Sequence, residues 1–156
     1  MRIKVLSIQS SKEPWFEKAC ALYDKKISAF CKFENIHMKA KSLDRKQREQ
    51  KKLLESKLIL EKIRPQDFVI LCDERGKSFT SQEFSKKIVS CFEGGYSDIV
   101  FVIGGAYGCS EELQERAKLK WSLSNMVMNH LVAQTVVLEQ IYRAFAIWKG
   151  LPYHNE

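Results

Sequence analysis

Two short, uninterrupted apolar runs constrain the fold of this chain more than any other feature. They are Val69–Cys72 and Ile99–Ile103. Runs of this kind are typical of strands buried on both faces, as in parallel sheets that carry helices on each side. Between them, Thr80 and Glu83 match a helix capping box and Gly94-Gly95 is a helix stop. The segment therefore predicts a β-α-β unit.

The same alternation of strand and helix patterns runs through the whole chain. It predicts one α/β domain over residues 1–156, with a mostly parallel sheet flanked by helices. The predicted strands are residues 2–8, 33–38, 67–72 and 98–103, and residues 121–128 are a further strand or an extended loop. The predicted helices are residues 14–30, a helix opening at 44, residues 80–92, a short helix capped by Ser110, and residues 131–149.

Basic residues are concentrated in one segment. Residues 32–64 carry 11 Lys or Arg against 5 Asp or Glu, which is +6 of the net charge of +7. Such a run can neutralise phosphates and release their counterions, so it suits a nucleic-acid partner. The alternative is a solvated helix face. The candidate RNA-binding residues are Arg45, Lys46, Arg48, Lys51 and Lys52.

The helix that carries these charges is expected to have a wholly polar first half and a buried face in its second half. Asp44 with Gln47 resembles a capping box, and the basic first half is predicted to face solvent. The predicted buried face is formed by Leu53, Leu54, Leu58, Ile59 and Ile63. The polar turn at residues 73–77 is expected to end the strand before it.

A glycine-rich segment follows the second apolar run directly. Gly104–Gly108 would lie at the carboxyl end of a buried strand, where open α/β sheets bind ligands. Glycine lets the backbone approach a ligand closely and offer its own N–H and C=O groups. Neither the dinucleotide glycine pattern nor a phosphate-binding loop motif is present. A tight turn without a ligand is the alternative.

Polar residues interrupt the apolar last helix and follow it. Glu139, Tyr142 and Arg143 share one helix face. Arg143 is either an anion or substrate clamp, or the internal partner of Glu139. Tyr153 and His154 come after the helix stop, and His exchanges protons near neutral pH.

Several classes of protein are not favoured by the sequence. Five cysteines without a C-x-x-C pair and three separated histidines give no support for a disulfide framework or a metal site. No apolar run approaches the roughly 18 residues of a membrane span. Residues 1–8 do not resemble a secretory signal. We therefore expect no metal, no membrane association and a cytoplasmic protein.

Taken in order, several motifs together resemble the RlmH family of bacterial rRNA methyltransferases, which belong to the SPOUT class. The resemblance covers essentially the whole chain. The motifs are Phe101-Val-Ile-Gly-Gly-Ala-Tyr-Gly108, Trp121-Ser-Leu-Ser124, His130, Leu138-Glu-Gln-Ile-Tyr-Arg-Ala144 and Pro152-Tyr-His154.

The resemblance implies a fold and an activity. It implies a C-terminal deep trefoil knot, which is an exception among protein folds. It also implies a homodimer that binds S-adenosyl-L-methionine and methylates N3 of a pseudouridine in large-subunit (23S) rRNA on the assembled ribosome. The tail of one subunit would complete the site of the other.

The resemblance also assigns residues. The catalytic set would be Arg143, Tyr153 and His154, with His154 as a hypothetical proton acceptor. The cofactor-binding set would be Cys72, Gly104, Gly105, Leu123, Ser124, Asn125, Met126, Val127 and Met128.

The chain departs from the family pattern at a few positions. Val127-Met-Asn-His130 stands where the family reads Thr-Phe-Pro-His or Thr-Leu-Pro-His, Gln134 replaces an arginine, and Cys72 replaces a leucine. Loss of the proline and of the positive charge is expected to alter cofactor affinity and RNA contacts. Two alternatives stay open: an inactive ribosome- or RNA-binding module of the same fold, and a nucleotide-dependent oxidoreductase that uses the glycine loop.

Overall fold

A computed structural model describes residues 2–9, 11–40 and 47–155 of the chain. Strands and helices alternate within these residues, as the sequence predicts. The strands are β1 (Arg2–Ile8), β2 (Lys32–Met38), β3 (Phe68–Lys77), β4 (Asp98–Ile103) and β5 (Leu119–Trp121). The helices are α1 (Pro14–Ser28), α2 (Arg48–Leu60), α3 (Ser81–Glu93), α4 (Glu111–Arg116) and α5 (His130–Trp148).

The strands form one five-stranded sheet in the order β2-β1-β4-β3-β5. All of its strand pairs are parallel, which confirms the predicted α/β class. Because parallel strands end at the same edge, the segments that follow β3, β4 and β5 meet there. The trefoil knot stays a prediction.

Both faces of the sheet are buried, and β4 shows why. Side chains alternate between the faces of a strand. Ile99, Phe101 and Ile103 belong to a large core cluster that includes residues of α1, α3 and α5. Val100 and Val102 belong to a second cluster, which includes residues of α2 and α4. The uninterrupted apolar run therefore contributes side chains to a hydrophobic cluster on each face of the sheet.

Local signals fix several helix ends as predicted. At α3, Thr80 and Glu83 form the complete capping box. Ser110 accepts a hydrogen bond from the N–H of Leu113 and begins α4. Gly150 has φ = 64° just after α5, a conformation that glycine adopts without strain.

The predicted buried face of α2 is wrong in part. Leu53 and Leu54 are 52% and 44% exposed, whereas Glu55 and Ser56 are 2% exposed and Ile59 is 1% exposed. The Oγ of Ser56 accepts a hydrogen bond of 2.8 Å from the N–H of Ser110. This bond and the buried Ile59 set the rotation of the helix. Leu58 and Ile63 are half-buried, and Asp44 of the expected capping box lies outside the described residues.

The polar turn expected after Cys72 is also wrong. The extended chain of β3 continues to Lys77, and both Cys72 and Lys77 pair with Trp121 across an irregularity in the register. Gly76 allows this close pairing, because a Cβ there would lie 2.5 Å from the carbonyl carbon of Lys120. Residues 122–128 follow β5 as irregular chain rather than strand.

None of the helices in the described ranges is long and apolar enough to span a bilayer.

Candidate functional site

A cavity of about 480 Å³ opens at the carboxyl edge of the sheet. The chain approaches it from the end of β3, the glycine loop after β4, the irregular segment after β5, and the first turn of α5. This is the place where α/β sheets bind ligands. Besides the predicted cofactor residues, its lining includes Lys52, Asp73, Glu74, Arg75, Ala106, Tyr107, Gly108, Cys109, Trp121 and Ala133.

Two glycines make the backbone itself part of the cavity wall. A Cβ at Gly104 would lie 2.5 Å from the Sγ of Cys109. A Cβ at Gly105 would collide with the carboxyl group of Glu55. Gly108 has φ = 81°, and its N–H donates to the carbonyl of Gly105 over 3.1 Å. The loop is therefore closed on itself and has no room for side chains at its first two positions.

Most of the predicted cofactor residues lie together at this cavity. Met126 and Val127 are 78% and 89% exposed, so they form its open rim. Ser124 orders the rim, because its Oγ accepts a 3.0 Å hydrogen bond from the N–H of Met126. Asn125 is not among the lining residues. Those that line the cavity are Cys72, Gly104, Gly105, Leu123, Ser124, Met126, Val127 and Met128.

The thiols at the cavity are poor nucleophiles. Burial raises the pKa of Cys72 to about 12 and that of Cys109 to about 11. Both groups are therefore neutral at physiological pH, and the thiolate is the reactive form of cysteine. Cys72 acts as an apolar wall residue, as a leucine would.

Two of the departures from the family pattern lie where α5 begins. Asn129 caps the helix, since its Oδ1 accepts a 2.9 Å hydrogen bond from the N–H of Leu131. His130 donates from Nε2 to the carbonyl of Ile8 over 2.5 Å, and burial lowers its pKa. Where the family pattern has a proline, which would stiffen the loop, Asn129 instead stabilises the start of α5 as a helix cap. Gln134 is 1% exposed, and the expected effect of the missing positive charge on cofactor affinity and RNA contacts stays a prediction.

The basic end of α2 adjoins the cavity through Tyr107. The guanidinium carbon of Arg48 lies 5.5 Å from the centre of the Tyr107 ring, and the Nζ of Lys51 lies 5.7 Å from it. Lys52 lines the cavity and pairs with Glu49 over 2.9 Å. Arg45 and Lys46 lie outside the described residues.

The predicted catalytic residues form a second group, here named the C-terminal polar cluster: Glu139, Arg143, Tyr153 and His154. The Nη2 of Arg143 lies 2.5 Å from the Oε1 of Glu139, so the predicted internal pair is present. The hydroxyl of Tyr153 donates to the same oxygen over 3.1 Å. The Nη1 of Arg143 donates to the Nδ1 of His154 over 3.2 Å.

The charges in this cluster follow from its contacts. Hydrogen bonding to Glu139 raises the pKa of Arg143, which keeps the guanidinium charged. Burial and the neighbouring Glu139 raise the pKa of Tyr153, which keeps the phenol protonated. A nitrogen that accepts from Arg143 carries no proton, so neutral His154 holds its proton on Nε2 in this arrangement.

The cavity and the C-terminal polar cluster are separate within one chain. None of the four cluster residues lines the cavity. Arg143 is ten residues beyond the cavity residue Ala133 on α5, which is about 15 Å along the helix axis. Reacting groups must come within roughly 3.5 Å of one another. The chain therefore does not bring its own predicted catalytic and cofactor residues together.

Sequence reasoning missed Glu55 at this site. Glu55 is buried behind Gly105, and burial raises its pKa while Lys51 lowers it. Its burial could have been predicted from its spacing of four residues from Ile59, which places both side chains on one helix face. No group of three or more potential metal ligands occurs in the described parts of the chain.

Comparison with known proteins identifies the family. A family model described as "Predicted SPOUT methyltransferase" matches residues 1–154. The ribosomal RNA large subunit methyltransferase H of Bdellovibrio bacteriovorus is 46% identical over 155 residues, covering 99% of each chain. The protein of the same name from Streptococcus pneumoniae is 40% identical over 159 residues, covering 99% of this chain and all of the relative. The chain belongs to the SPOUT methyltransferase family.

Proposed function

We propose that this protein transfers a methyl group from S-adenosyl-L-methionine to N3 of a pseudouridine in large-subunit (23S) rRNA on the assembled ribosome. The observation that carries the proposal is the backbone-lined cavity at the carboxyl edge of the sheet, in a chain of the SPOUT methyltransferase family. Relatives that match nearly all of the chain are named large subunit rRNA methyltransferases.

The residues at the cavity suit a cationic nucleoside cofactor. Gly104 and Gly105 line the cavity with backbone, and Cys109 and Glu55 pack into the positions that their side chains would take. Asp73 and Glu74 line the cavity, and the buried Glu55 has a carboxyl oxygen without a partner among the described residues. Of these carboxylates, the buried Glu55 favours a positive ligand most, because Asp73 contacts Arg75 and Glu74 is exposed to water. When bound, S-adenosylmethionine supplies a methyl group on a sulfonium sulfur, which is a good leaving group.

The chain's own contribution is to position the reactants and to handle a proton. N3 of the pseudouridine must lose its proton before it attacks the methyl group, and the Arg143 guanidinium can stabilise the resulting anion. Tyr153 stays protonated and acts as a donor that holds Glu139. His154 can accept the N3 proton at Nδ1 only after Arg143 turns away from that nitrogen towards the substrate.

A homodimer is part of the proposal. It is supported by the separation of the cavity from the C-terminal polar cluster, because a partner subunit could bring its own cluster to this cavity. Exposed apolar side chains suitable for such an interface are Trp15 and Leu22 on α1 and Val132 on α5, which are 47%, 51% and 42% exposed. We also propose one domain over residues 1–156, with the trefoil knot of the family.

The RNA surface and the cellular location complete the proposal. Arg48, Lys51 and Lys52 extend from the solvent to the cavity mouth, which supports a role in holding phosphates beside the target base. Arg45 and Lys46 are proposed to extend this basic surface. A ribosomal substrate implies a cytoplasmic location.

Transfer of labelled methyl from S-adenosylmethionine to ribosomes that lack the modification tests the proposal. We expect stoichiometric labelling of one pseudouridine at N3 in assembled ribosomes and little labelling of free 23S rRNA. Protein truncated before Pro152 should bind the cofactor but transfer no methyl group, since it lacks Tyr153 and His154.

Other outcomes separate the alternatives. Binding of ribosomes and of cofactor without transfer would identify an inactive binding module. Thermal stabilisation by a nicotinamide dinucleotide, without stabilisation by S-adenosylmethionine, would identify the oxidoreductase.

A further inference from the structure

A buried carboxyl group lies directly behind the glycine loop. Glu55 is 2% exposed, and its Oε2 occupies the space that a Cβ of Gly105 would fill. That oxygen has no hydrogen-bond partner among the described residues. Among the described residues, the cation that pairs with Glu55 is Lys51, whose Nζ lies 3.9 Å from Oε1, beyond hydrogen-bonding distance. A buried carboxylate with so little compensation is costly unless another positive charge comes near it.

The cavity is the place from which such a charge can act. Gly105 contacts Glu55 on one side and lines the cavity on the other. A single layer of backbone therefore separates the carboxyl group from a bound ligand. Interactions between charges in such a buried setting are stronger than in water and are weakly screened by salt.

We propose that Glu55 makes the cavity select the cationic sulfonium cofactor over the neutral thioether that remains after methyl transfer. This inference rests on the proposed function. When the methyl group moves to nitrogen, the sulfur keeps the electron pair of the broken bond and its positive charge disappears. The two molecules otherwise have the same adenosine and amino-acid groups. Glu55 attracts the charge that distinguishes them, so it favours binding of the donor and release of the product.

Two other carboxylates at the cavity differ from Glu55 in their surroundings. Asp73 accepts a 2.9 Å hydrogen bond from the N–H of Arg75, and the Arg75 side chain lies 3.5 Å from the same oxygen. Glu74 is exposed, so water screens its charge. Glu55 is the buried carboxylate at this wall with an oxygen that lacks a partner in the described parts of the chain. Its charge should therefore have the largest effect on a ligand.

Calorimetric titration with two stable ligands tests the inference. Sinefungin carries an amine cation in place of the sulfonium group, whereas S-adenosylhomocysteine is neutral at that position. We expect the wild-type protein to prefer sinefungin, and Glu55→Gln to reduce this preference on the order of tenfold. The loss should come from weaker sinefungin binding. Asp73→Asn should have a smaller effect, and Glu61→Gln, at the exposed end of α2, should have none.

The ratio of the two dissociation constants distinguishes an electrostatic role of Glu55 from a purely structural one. If Glu55 only supports the glycine loop, Glu55→Gln weakens both ligands equally and the ratio stays constant, which overturns the inference. Glu55→Asp keeps the charge and provides a second test if the glutamine variant does not fold. It should retain the preference, and loss of the preference in that variant would also overturn the inference. Failure of the wild-type protein to bind either ligand would instead contradict the proposed cofactor, and this inference with it.

Discussion

Single residues show which parts of the candidate site could be predicted from the sequence and which could not. Gly104 and Gly105 could be assigned to a ligand loop, because they directly follow an apolar run that predicts a buried strand. Glu55 could not be assigned by composition, because a glutamate on a basic helix is normally solvated. Its burial follows from the rotation of α2, which depends on the distant contact between Ser56 and Ser110.

Gln134 gives a prediction about stability. Its side chain is 1% exposed, and neither its Nε2 nor its Oε1 has a hydrogen-bond partner among the described residues. Because a buried amide without partners loses its hydration without compensation, Gln134→Leu should raise the free energy of unfolding by about 1 kcal/mol. Urea denaturation measures this change.

A matched control lies on the same helix. Gln140 accepts a 2.8 Å hydrogen bond from the hydroxyl of Ser81 and donates to Glu139 over 2.8 Å. Gln140→Leu should therefore lower stability. An equal change in both variants would show that added apolar area, rather than the unpaired amide, is responsible.

At the scale of the elements, strands and helix ends could be predicted well, whereas rotations and irregular connections could not. The capping box of α3 depends on Thr80 and Glu83, which are close neighbours in the sequence, so it is a local signal. The extension of β3 past Cys72 depends on pairing with β5, which is far away in the chain. Residues 122–128 take their path from that pairing and from the start of α5, so no local pattern predicts it.

An ion cluster around the buried Asp98 joins β1, β4 and the turn before β3, and it predicts a pH dependence. Arg2, Lys4 and Arg64 lie 2.9, 3.2 and 2.7 Å from the Oδ2 of Asp98. Burial opposes ionisation of Asp98, but Arg2 and Lys4 outweigh it and lower the pKa below its usual value. The stabilisation is present above the unfolded-state pKa of about 4 and is lost as the pH falls through the lower, folded-state pKa.

Replacement of that aspartate tests the linkage. At pH 7, Asp98→Asn should lower the free energy of unfolding by about 3 kcal/mol, because three cations lose their common partner. The difference from wild type should shrink below about pH 4. Glu34→Gln, which removes the more exposed partner of Arg2, should have a much smaller effect. A difference for Asp98→Asn that is independent of pH would contradict this account.

The basic end of α2 predicts a salt dependence of binding. The double variant Arg48→Gln, Lys51→Gln should weaken binding to the ribosome and lower the slope of log affinity against log salt by about one for each phosphate that is no longer neutralised. Lys57→Gln, in the last turn of the same helix, removes an exposed charge away from the cavity and serves as the control. An unchanged slope in the double variant would show that this surface is only a solvated helix face.

At the scale of the whole molecule, the sequence pattern predicted the fold class and the cavity but not their relation to the C-terminal polar cluster. Glu139 and Arg143 share a helix face by spacing alone, and the structure adds Tyr153 and His154 to them. About 15 Å of α5 separates this cluster from the cavity of the same chain. The proposed methyl transfer therefore requires a second copy of the chain, with each proposed active site formed by two subunits.

Subunit mixing tests that claim most directly. One variant, Gly104→Val, disrupts the glycine loop at the cofactor cavity, because its Cβ would lie 2.5 Å from the Sγ of Cys109. The other, Arg143→Ala, disables the C-terminal polar cluster. Each homodimer alone should be inactive in methyl transfer to ribosomes, while retaining the wild-type mass in solution. Dimers re-formed from an equal mixture should recover about a quarter of wild-type activity, because half of them are mixed and each mixed dimer has one intact composite site. No recovery, with mixed dimers shown to form, would contradict a site shared between subunits.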